Sequence, residues 1–262
     1  MSSELVLLLR LAGPLQSWGD RSVFNRRETR PEPTKSGVLG LLAAAQGRPR
    51  TQSPEDLAEL RFGVRVDQPG SLLRDYHTVS DYRGVPLRQA GVNAKGEQKP
   101  TSPVKTTHVT HRYYLQDAVF VAAVAGPAPV MTALAEAVRR PAYPLALGRR
   151  SCPPTQPLVL KLDERDMETA LTEYPWQADH ATRQRLRRRH NGELPPRVDL
   201  SATLEDPEGT DVAQDVPLSF APGQRRFATR RVRHTWLTTP TEATKTSSTP
   251  TTPHDPFALL GW

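Results

Sequence analysis

The sequence predicts an α+β fold: a ferredoxin-like antiparallel sheet with two helices on one face. Three observations support this. Apolar or alternating segments, which indicate strands, fall into two groups that each contain one amphipathic helix. A long excursion with alternating arms separates the two groups, as a protruding β-hairpin would. The pattern weakens after Leu162 and then returns as further strands, so a smaller, mostly β C-terminal part is expected.

The first group begins with LVLLLRL, Leu5 to Leu11, a core strand ended by Gly13-Pro14. A helix is predicted over Lys35 to Gln46, since Pro33-Thr34 is a start signal and Gly47 a stop signal. RFGVRVD, from Arg61 to Asp67, alternates as a strand.

The hairpin is predicted from two arms, Leu73 to Tyr82 and Val104 to Leu115, around a Gly/Pro/Lys tip. The second group then contains the strand Ala118 to Val124, the helix Met131 to Arg139 and a strand near Leu158 to Leu162. Two strand–helix–strand halves of this size predict the ferredoxin-like sheet.

The C-terminal part is predicted to contain a helix and three strands: Glu164 to Tyr174, Val198 to Leu204, Val216 to Phe220 and Phe227 to Leu237. Thr238 to Pro253 is rich in Thr, Ser and Pro and is expected to be a mobile tether. The apolar end, Phe257 to Trp262, is expected to dock on the body or on a partner. The predicted division is therefore residues 1–162, 163–237 and 238–262.

Composition points to a polyanionic partner. The 262 residues include 35 Lys and Arg against 28 Asp and Glu, a net charge of +7, and arginine carries the excess. Arginine presents a planar fork of donors that matches phosphate oxygens; GC-rich coding is the alternative explanation. The apolar run Leu5 to Leu9 is too short for a signal peptide or membrane span, so we expect a cytoplasmic protein. With Cys152 as its one cysteine, the chain is expected to form no intramolecular disulfide and no thiolate metal cluster. No metal and no cofactor is expected.

The segment between the first strand and the first helix contains Arg21, Arg26, Arg27 and Arg30 without apolar periodicity. It leads into Lys35-Ser36 at a helix N-terminus, where free N–H groups and the helix dipole favour phosphate. The glycine spacing of a Walker P-loop is missing. The alternative is an ordinary capped helix, with Thr34 or Ser36 as the cap.

A second loop of the same character is GRRSCPP, in which Arg149, Arg150 and Ser151 follow a glycine and precede two prolines. It is either a rigid turn that presents guanidinium groups or a plain surface turn. The densest basic run, Arg183 to Arg189, is either a solvated face or a surface that requires a polyanion.

Aromatic and basic residues are interleaved along the hairpin arms: Tyr76, His77, Tyr82, His108, His111, Arg112, Tyr113 and Tyr114. Such residues suit stacking on unpaired bases and contact with their backbone. The same histidines would also suit metal-independent RNA cleavage as general base and acid, with Lys105 stabilising charge. Metal binding lacks a supporting carboxylate or cysteine cluster.

Three segments together carry a family resemblance: Leu5 to Gly19, Pro33 to Ala45 and Leu147 to Pro154. They resemble the CasD subunit family of type I-E CRISPR Cascade complexes, within the RAMP superfamily, over about Leu5 to Leu162. The resemblance implies an RRM/RAMP-type ferredoxin-like domain without enzymatic activity that serves antiviral defence. It holds the 5′ handle of the CRISPR RNA, and its hairpin, about Leu73 to Leu115, acts as a thumb against the guide.

The partners implied by the resemblance are CRISPR RNA, the backbone, large and other subunits of Cascade and, through the assembled complex, target DNA, with no membrane. The candidate RNA-binding residues are Gln16, Trp18, Arg21, Arg26, Arg27, Arg30, Lys35, Ser36, Arg149, Arg150 and Ser151. The candidate thumb residues are Tyr76, His77, Lys105, His108, His111 and Arg112. The alternative function is a metal-independent endoribonuclease that processes CRISPR repeat RNA, because relatives in another CRISPR subtype cut the repeat.

Overall fold

The computed structural model describes residues 4–19, 25–81 and 106–242, with the backbone alone for 79–81 and 106–108. The strands are β1 (Glu4–Ala12), β2 (Leu15–Gln16), β3 (Arg26–Arg27), β4 (Arg61–Gln68), β5 (Ser71–Asp81), β6 (Thr106–Gln116), β7 (Val119–Pro127), β8 (Val159–Asp163), β9 (Arg197–Glu205), β10 (Asp211–Ser219) and β11 (Arg226–Pro240). The helices are α1 (Lys35–Ala45), α2 (Glu55–Ala58), α3 (Ala128–Arg139), α4 (Met167–Glu173) and α5 (His180–Arg189). None of the helices in these ranges is long and apolar enough to cross a membrane.

A seven-stranded sheet in the order β10-β11-β9-β4-β7-β1-β8 forms the centre of the molecule. Each neighbouring pair in it is antiparallel. β1 and β7 are almost continuously apolar because both of their faces are covered. The prediction of a mixed α+β fold around an antiparallel sheet is confirmed.

The two faces of this sheet carry different helices. On one face, Leu7, Phe62 and Val124 pack in a cluster with residues of α1 and α3. On the other face, Leu8, Ala202 and Leu204 pack with Met167, Ala170 and Leu171 of α4. Side chains alternate along a strand, so Thr203, paired with Val64, lies on the α1 face between two residues that face α4.

The strands of the C-terminal part continue the central sheet across the predicted boundary near residue 162. β9 pairs with β4, and Gly63, Val64 and Arg65 oppose Leu204, Thr203 and Ala202. Arg65 and Asp67 form a fully buried ion pair, with Arg65 Nε 2.7 Å from Asp67 Oδ1. The same guanidinium donates to the carbonyls of Leu171, Tyr174 and Pro175, which attaches the segment after α4 to the sheet.

The second sheet contains β2, β3, β5 and β6. β5 and β6 pair from Ser71 opposite Gln116 to Asp81 opposite Thr106, which confirms the paired arms of the predicted hairpin. The predicted tip lies outside the described residues. The sequence did not predict β2, β3, α2 or α5, since two-residue strands and one-turn helices leave no readable period and α5 has no apolar stripe.

The predicted start of the mobile tract is wrong. β11 continues through Pro240, and Thr239 and Thr241 are buried, because Thr suits a paired strand as well as it suits a loop. Residues 243–262, including Phe257 to Trp262, lie outside the described residues.

Candidate nucleic-acid interface

Gln16 and Trp18 form the buried base of the first arginine loop. The Gln16 amide nitrogen donates to the carbonyls of Leu11 (3.0 Å) and Ala118 (2.7 Å), and its oxygen accepts from Trp18 Nε1 at 3.1 Å. Gln16 is fully buried and Trp18 is 1% exposed. Both residues therefore position the loop rather than extend into solvent.

Trp18 packs directly on α1 at Gly37. A Cβ on Gly37 would lie 2.8 Å from Trp18 Cε3 and 3.0 Å from Thr34 Oγ1, closer than side chains approach. The Thr34 hydroxyl accepts from the Gly37 N–H at 3.2 Å and caps the helix. Ser36 Oγ lies 3.4 Å from Thr34 Oγ1, so the capped-helix alternative describes this helix start.

Lys35 does not present its ammonium group to a ligand. Its side chain is 2% exposed, and Nζ lies 3.0 Å from each carboxylate oxygen of Glu205. Burial lowers the pKa of Lys35, and the Glu205 charge opposes that shift. The Lys35 N–H donates to Asp215 Oδ2 at 2.7 Å, and the Arg230 guanidinium pairs with the same carboxylate. The protein's own carboxylates therefore occupy the position predicted for phosphate.

Arg149 fastens the second arginine loop to the first. Its guanidinium donates to the carbonyls of Tyr113 (3.1 Å) and Arg27 (2.8 Å) and lies 4.7 Å from the ring centroid of Tyr114. The preceding Gly148 has a φ of +87°, and a Cβ there would collide with the Ser17 carbonyl oxygen. Arg149 is therefore a positioning residue, and Arg150 and Ser151 are exposed beyond it.

A groove of about 1890 Å³ brings the two loops together along the outer side of α1. We call it the arginine groove. Its basic lining residues are Arg27, Arg48, Arg50, Arg149, Arg150 and Arg225, and its aromatic lining residues are Trp18, Tyr143, Phe220 and Phe227. Ser36, Gly37 and Gly40 of α1 also line it, so part of the predicted helix start does reach this surface.

Positive charge is concentrated in the arginine groove. Burial lowers the pKa of Arg27, and the neighbouring charges of Arg112, Arg149 and Arg225 lower it further. Partial desolvation lowers the pKa of Arg225, whose surface is still exposed, and the Arg50 charge lowers it further. Glu28 is the one carboxylate among the described lining residues, and its side chain lies 2.8 Å from Arg26. Such like-charge crowding favours a polyanion in the groove.

Two of the groove arginines are already engaged by the protein. Arg48 forms a bidentate pair with Asp56 at 2.7 and 2.6 Å, which leaves less of its charge for a ligand. Arg149 is held by carbonyls, as described above. The basic residues with exposed side chains are Arg50, Arg150 and Arg225.

Sequence reasoning missed Arg48, Arg50, Arg225, Tyr143, Phe220 and Phe227. Arg50 and Arg225 had a signal similar to that of the GRRSCPP loop, because Arg50 directly follows Pro49 and Arg225 lies two residues after Gly223. Nothing in the local pattern placed Phe220, which follows β10 and approaches α1 at Gly40, 180 residues earlier in the chain.

The remaining residues of the first loop divide between two surfaces. Arg30 donates its backbone N–H to the Trp18 carbonyl at 2.6 Å and lines a separate small cavity with Glu32, Thr203 and His234. Arg26 is exposed, with its guanidinium 5.2 Å from the ring centroid of Tyr113. Arg21, Tyr82 and Lys105 lie outside the described residues.

The hairpin residues are divided between the two faces of the ribbon. Tyr76 lies opposite His111, with ring centroids 5.6 Å apart, whereas His77 lies opposite Thr110. Because side chains alternate, His77 and His111 are on opposite faces. His108 is described by its backbone alone, paired with Val79.

The base of the hairpin meets the arginine groove. β3 pairs with β6, so that Arg27 lies in register with Arg112. Within the described ranges, no group of three or more His, Cys, Asp or Glu side chains is arranged to hold a metal ion.

By its chemistry this groove suits single-stranded nucleic acid, since it combines exposed arginines with aromatic side chains. The chain belongs to the family described as CRISPR-associated protein (Cas_Cas5), whose model matches residues 6–233. This finding confirms the family resemblance read from the three sequence segments.

Named relatives agree with this membership. The Cascade subunit CasD of Escherichia coli (strain K12) is 38% identical over 187 residues, covering 64% of this chain and 76% of that protein. A chain from a solved CRISPR RNA-guided surveillance complex superposes with a TM-score of 0.67 at 35% identity, covering 90% and 91% of the two chains. A crystal structure described as a Cas protein gives 0.63 at 38% identity, covering 89% and 95%.

Proposed function

We propose that this chain is the non-catalytic, RNA-binding subunit of a CRISPR surveillance complex and that it holds the 5′ handle of the CRISPR RNA in the arginine groove. The observation that carries the proposal is the junction of the two arginine loops along α1, fixed by Arg149. The similarity to CasD and to a chain of an RNA-guided surveillance complex supports the same role. Its partners are then the CRISPR RNA, the backbone and large subunits and, through the complex, target DNA.

The groove chemistry supports a single strand rather than a duplex. Exposed Arg50, Arg150 and Arg225 are placed to contact phosphates, and guanidinium groups match phosphate oxygens in two-pronged contacts. The aromatic side chains Tyr143, Phe220 and Phe227 line the same surface, where unpaired bases stack. A duplex would present backbone only and would leave these rings unused.

The topology supports the ferredoxin-like and thumb assignments. The strand order β4-β7-β1-β8, with α1 and α3 packed on one face, follows from two interlocked β-α-β halves. The hairpin of β5 and β6 leaves between those halves and carries exposed Tyr76 at 64% exposure. We assign this hairpin as the thumb that contacts the guide RNA.

The placement of the described hairpin histidines argues that the subunit does not cleave RNA. General acid and base must reach one scissile bond from the same side of a site. His77 and His111 lie on opposite faces of the hairpin, so they cannot form such a pair. Incubation of the purified chain with labelled repeat RNA in chelator should yield no product, and a discrete product would establish the endoribonuclease alternative instead.

The salt dependence of RNA binding tests the proposed site. The variant Arg150→Gln/Arg225→Gln should bind a 5′-handle RNA more weakly, and its slope of log affinity against log salt should fall by about 1.4, from about 0.7 per phosphate contact. The matched control Arg61→Gln/Arg139→Gln removes two exposed arginines outside the groove. It should match the parent chain. Equal slopes for the groove variant and the control would contradict this placement.

A further inference from the structure

The helix α5 carries a second basic surface that the proposed RNA site does not use. Its sequence, HATRQRLRRR, contains no acidic residue. Arg185, Arg188 and Arg189 are exposed on it, and we call these three the basic face of α5. They lie three and four residues apart, so they are neighbours on the helix surface and repel one another. The helix dipole favours cations in the last turn, which contains Arg188 and Arg189, whereas Arg185 lies before that turn.

The basic face of α5 is not neutralised by the protein. Within the described part of the chain, these three arginines form no ion pair. The neighbouring Arg187, which is not one of the three, pairs with Glu242 at 3.6 Å. Asp179 accepts at 2.6 Å from the Thr182 N–H as the helix cap, and its carboxylate also accepts from Gln68. The Arg185 charge contributes to lowering the pKa of Asp179, but the two side chains do not form an ion pair. No such carboxylate acts on Arg188 or Arg189 in the described part of the chain.

The protein holds α5 rigidly with this face outward. Arg183 lies against the ring of Trp176, with 5.5 Å to its centroid, and donates to the carbonyls of Trp176, Ala178 and Thr241. Leu186 packs on the cluster of Trp176, Ala178 and Leu200. Arg183 therefore has a structural role: it attaches α5 to the rest of the protein, and the basic face of α5 stays exposed to solvent.

The basic face of α5 and the arginine groove lie on opposite sides of the central sheet. Leu200 is on the same face of β9 as Ala202 and Leu204, which pack with α4. Since α5 packs on Leu200, it lies on the α4 face, whereas the groove lies along α1 on the other face. One short RNA segment held in the groove cannot also cover α5.

The two surfaces also differ in chemistry. The groove has aromatic rings for unpaired bases, but residues 181–193 contain no Phe, Tyr or Trp. A rigid row of arginines without stacking partners recognises phosphates alone. A duplex offers about one phosphate charge per 1.7 Å of its axis and keeps its bases stacked, so it fits this surface better than a single strand does.

We propose that the basic face of α5 binds the sugar-phosphate backbone of double-stranded DNA, independently of the RNA site. Recognition is without sequence preference, because no base-reading group accompanies the arginines. That this duplex is the target DNA rests on the proposed function. That α5 binds a DNA duplex does not depend on the proposed function.

The test compares two probes on the full chain: a DNA duplex of arbitrary sequence and a single-stranded 5′-handle RNA. The variant Arg185→Gln/Arg188→Gln/Arg189→Gln should lose about tenfold or more in duplex affinity at about 0.1 M salt. Its salt slope should fall by about 2.7, from about 0.9 per contact. RNA affinity should stay within about twofold. The charge-retaining control Arg185→Lys/Arg188→Lys/Arg189→Lys should keep duplex binding within about threefold.

Several outcomes would overturn the inference. Unchanged duplex affinity in the Gln variant would do so, as would an equal loss of RNA affinity, which would make α5 part of the RNA site. A parent chain that binds no duplex would point to an acidic protein surface as the partner of α5. The groove variant Arg150→Gln/Arg225→Gln distinguishes the two proposals. If it bound RNA as tightly as the parent chain, the proposed function would be contradicted, but the duplex-binding result for α5 would be unaffected.

Discussion

Lys35 lies at the start of α1, where a free cation would suit a phosphate, yet its ammonium is buried against Glu205. Removal of one member of a buried ion pair is strongly destabilising, and here it would leave Glu205, among the described residues, with only the Phe62 N–H at 3.1 Å and the Arg230 guanidinium at 3.7 Å. Lys35→Met should therefore lower the free energy of unfolding by about 3 kcal/mol, measured by urea unfolding at neutral pH. RNA affinity of the folded fraction should change little.

The surface pair Arg61 and Glu4 supplies the control for this change, because both side chains are about half exposed. Arg61→Met should cost less than about 1 kcal/mol. If Lys35→Met instead kept the stability of the parent chain and bound RNA more weakly, Lys35 would be a phosphate-binding residue, as predicted from the sequence.

Glu32 makes the stability of the protein depend on pH in the opposite direction to an ion-paired carboxylate, because its pKa is raised rather than lowered. Burial raises the pKa of Glu32, while the Thr203 hydroxyl, His234, Arg30 and Arg230 act against that shift. A raised folded-state pKa contributes stability below the unfolded value, near 4.5, and that contribution is lost as the pH rises through the folded value. Glu32→Gln should therefore be more stable than the parent chain at pH 7.5 and equal to it near pH 4.

Urea unfolding at the two pH values measures this difference. Exposed Glu59→Gln is the matched control and should show no such change between them. A stability difference for Glu32→Gln that is the same at both pH values would show that packing, rather than charge burial, sets its effect.

At the scale of elements, α1 offers two glycines with opposite expected responses. Alanine usually stabilises a helix interior by about 1 kcal/mol relative to glycine. At Gly40 the nearest atom to an added Cβ is Phe220 Cζ at 3.7 Å, an ordinary contact, so Gly40→Ala should stabilise. At Gly37 the added methyl would meet the buried Trp18 ring at 2.8 Å, so Gly37→Ala should destabilise by about 1–3 kcal/mol.

Thermal unfolding of the two variants measures the contrast, and each serves as the control for the other. Stabilisation by both would mean that Trp18 moves easily, which would remove it as the fixed base of the arginine groove.

The long elements were predictable because their periodicity is local. LVLLLRL and AVFVAAV needed only apolar runs, and α1 needed only its start and stop signals. The arginine loops were recognised as basic, but their roles were not separable by sequence. Arg149 is fixed by carbonyls of residues 27 and 113, and Lys35 by carboxylates 170 and 180 residues away. Contacts of such sequence separation leave no local signal.

At the scale of the whole molecule, the groove depends on both halves of the chain. Arg27 and Arg150 come from the N-terminal part, whereas Phe220 and Arg225 come from the connection between β10 and β11. That connection is held in place by the pairing of β9 with β4 and by the carboxylates that β9 and β10 direct to Lys35. Folding of the C-terminal part therefore completes the proposed RNA site.

This dependence leads to the last prediction, that the seven strands of the central sheet unfold as one cooperative unit. A chain ending at Asp163 would expose the β4 edge and the sheet face that α4 and Leu237 cover. Arg65 would lose its carbonyl acceptors and Lys35 both of its carboxylate partners, so buried charges would be left unsatisfied. Such a fragment should be unfolded or aggregated. In the full chain, amide exchange in β1 and β7 should report the same opening free energy as exchange in β9 and β11. A fragment 1–163 with a dispersed NMR spectrum, or a full chain whose β9 and β11 open well before β1, would instead establish two independent domains divided near residue 162.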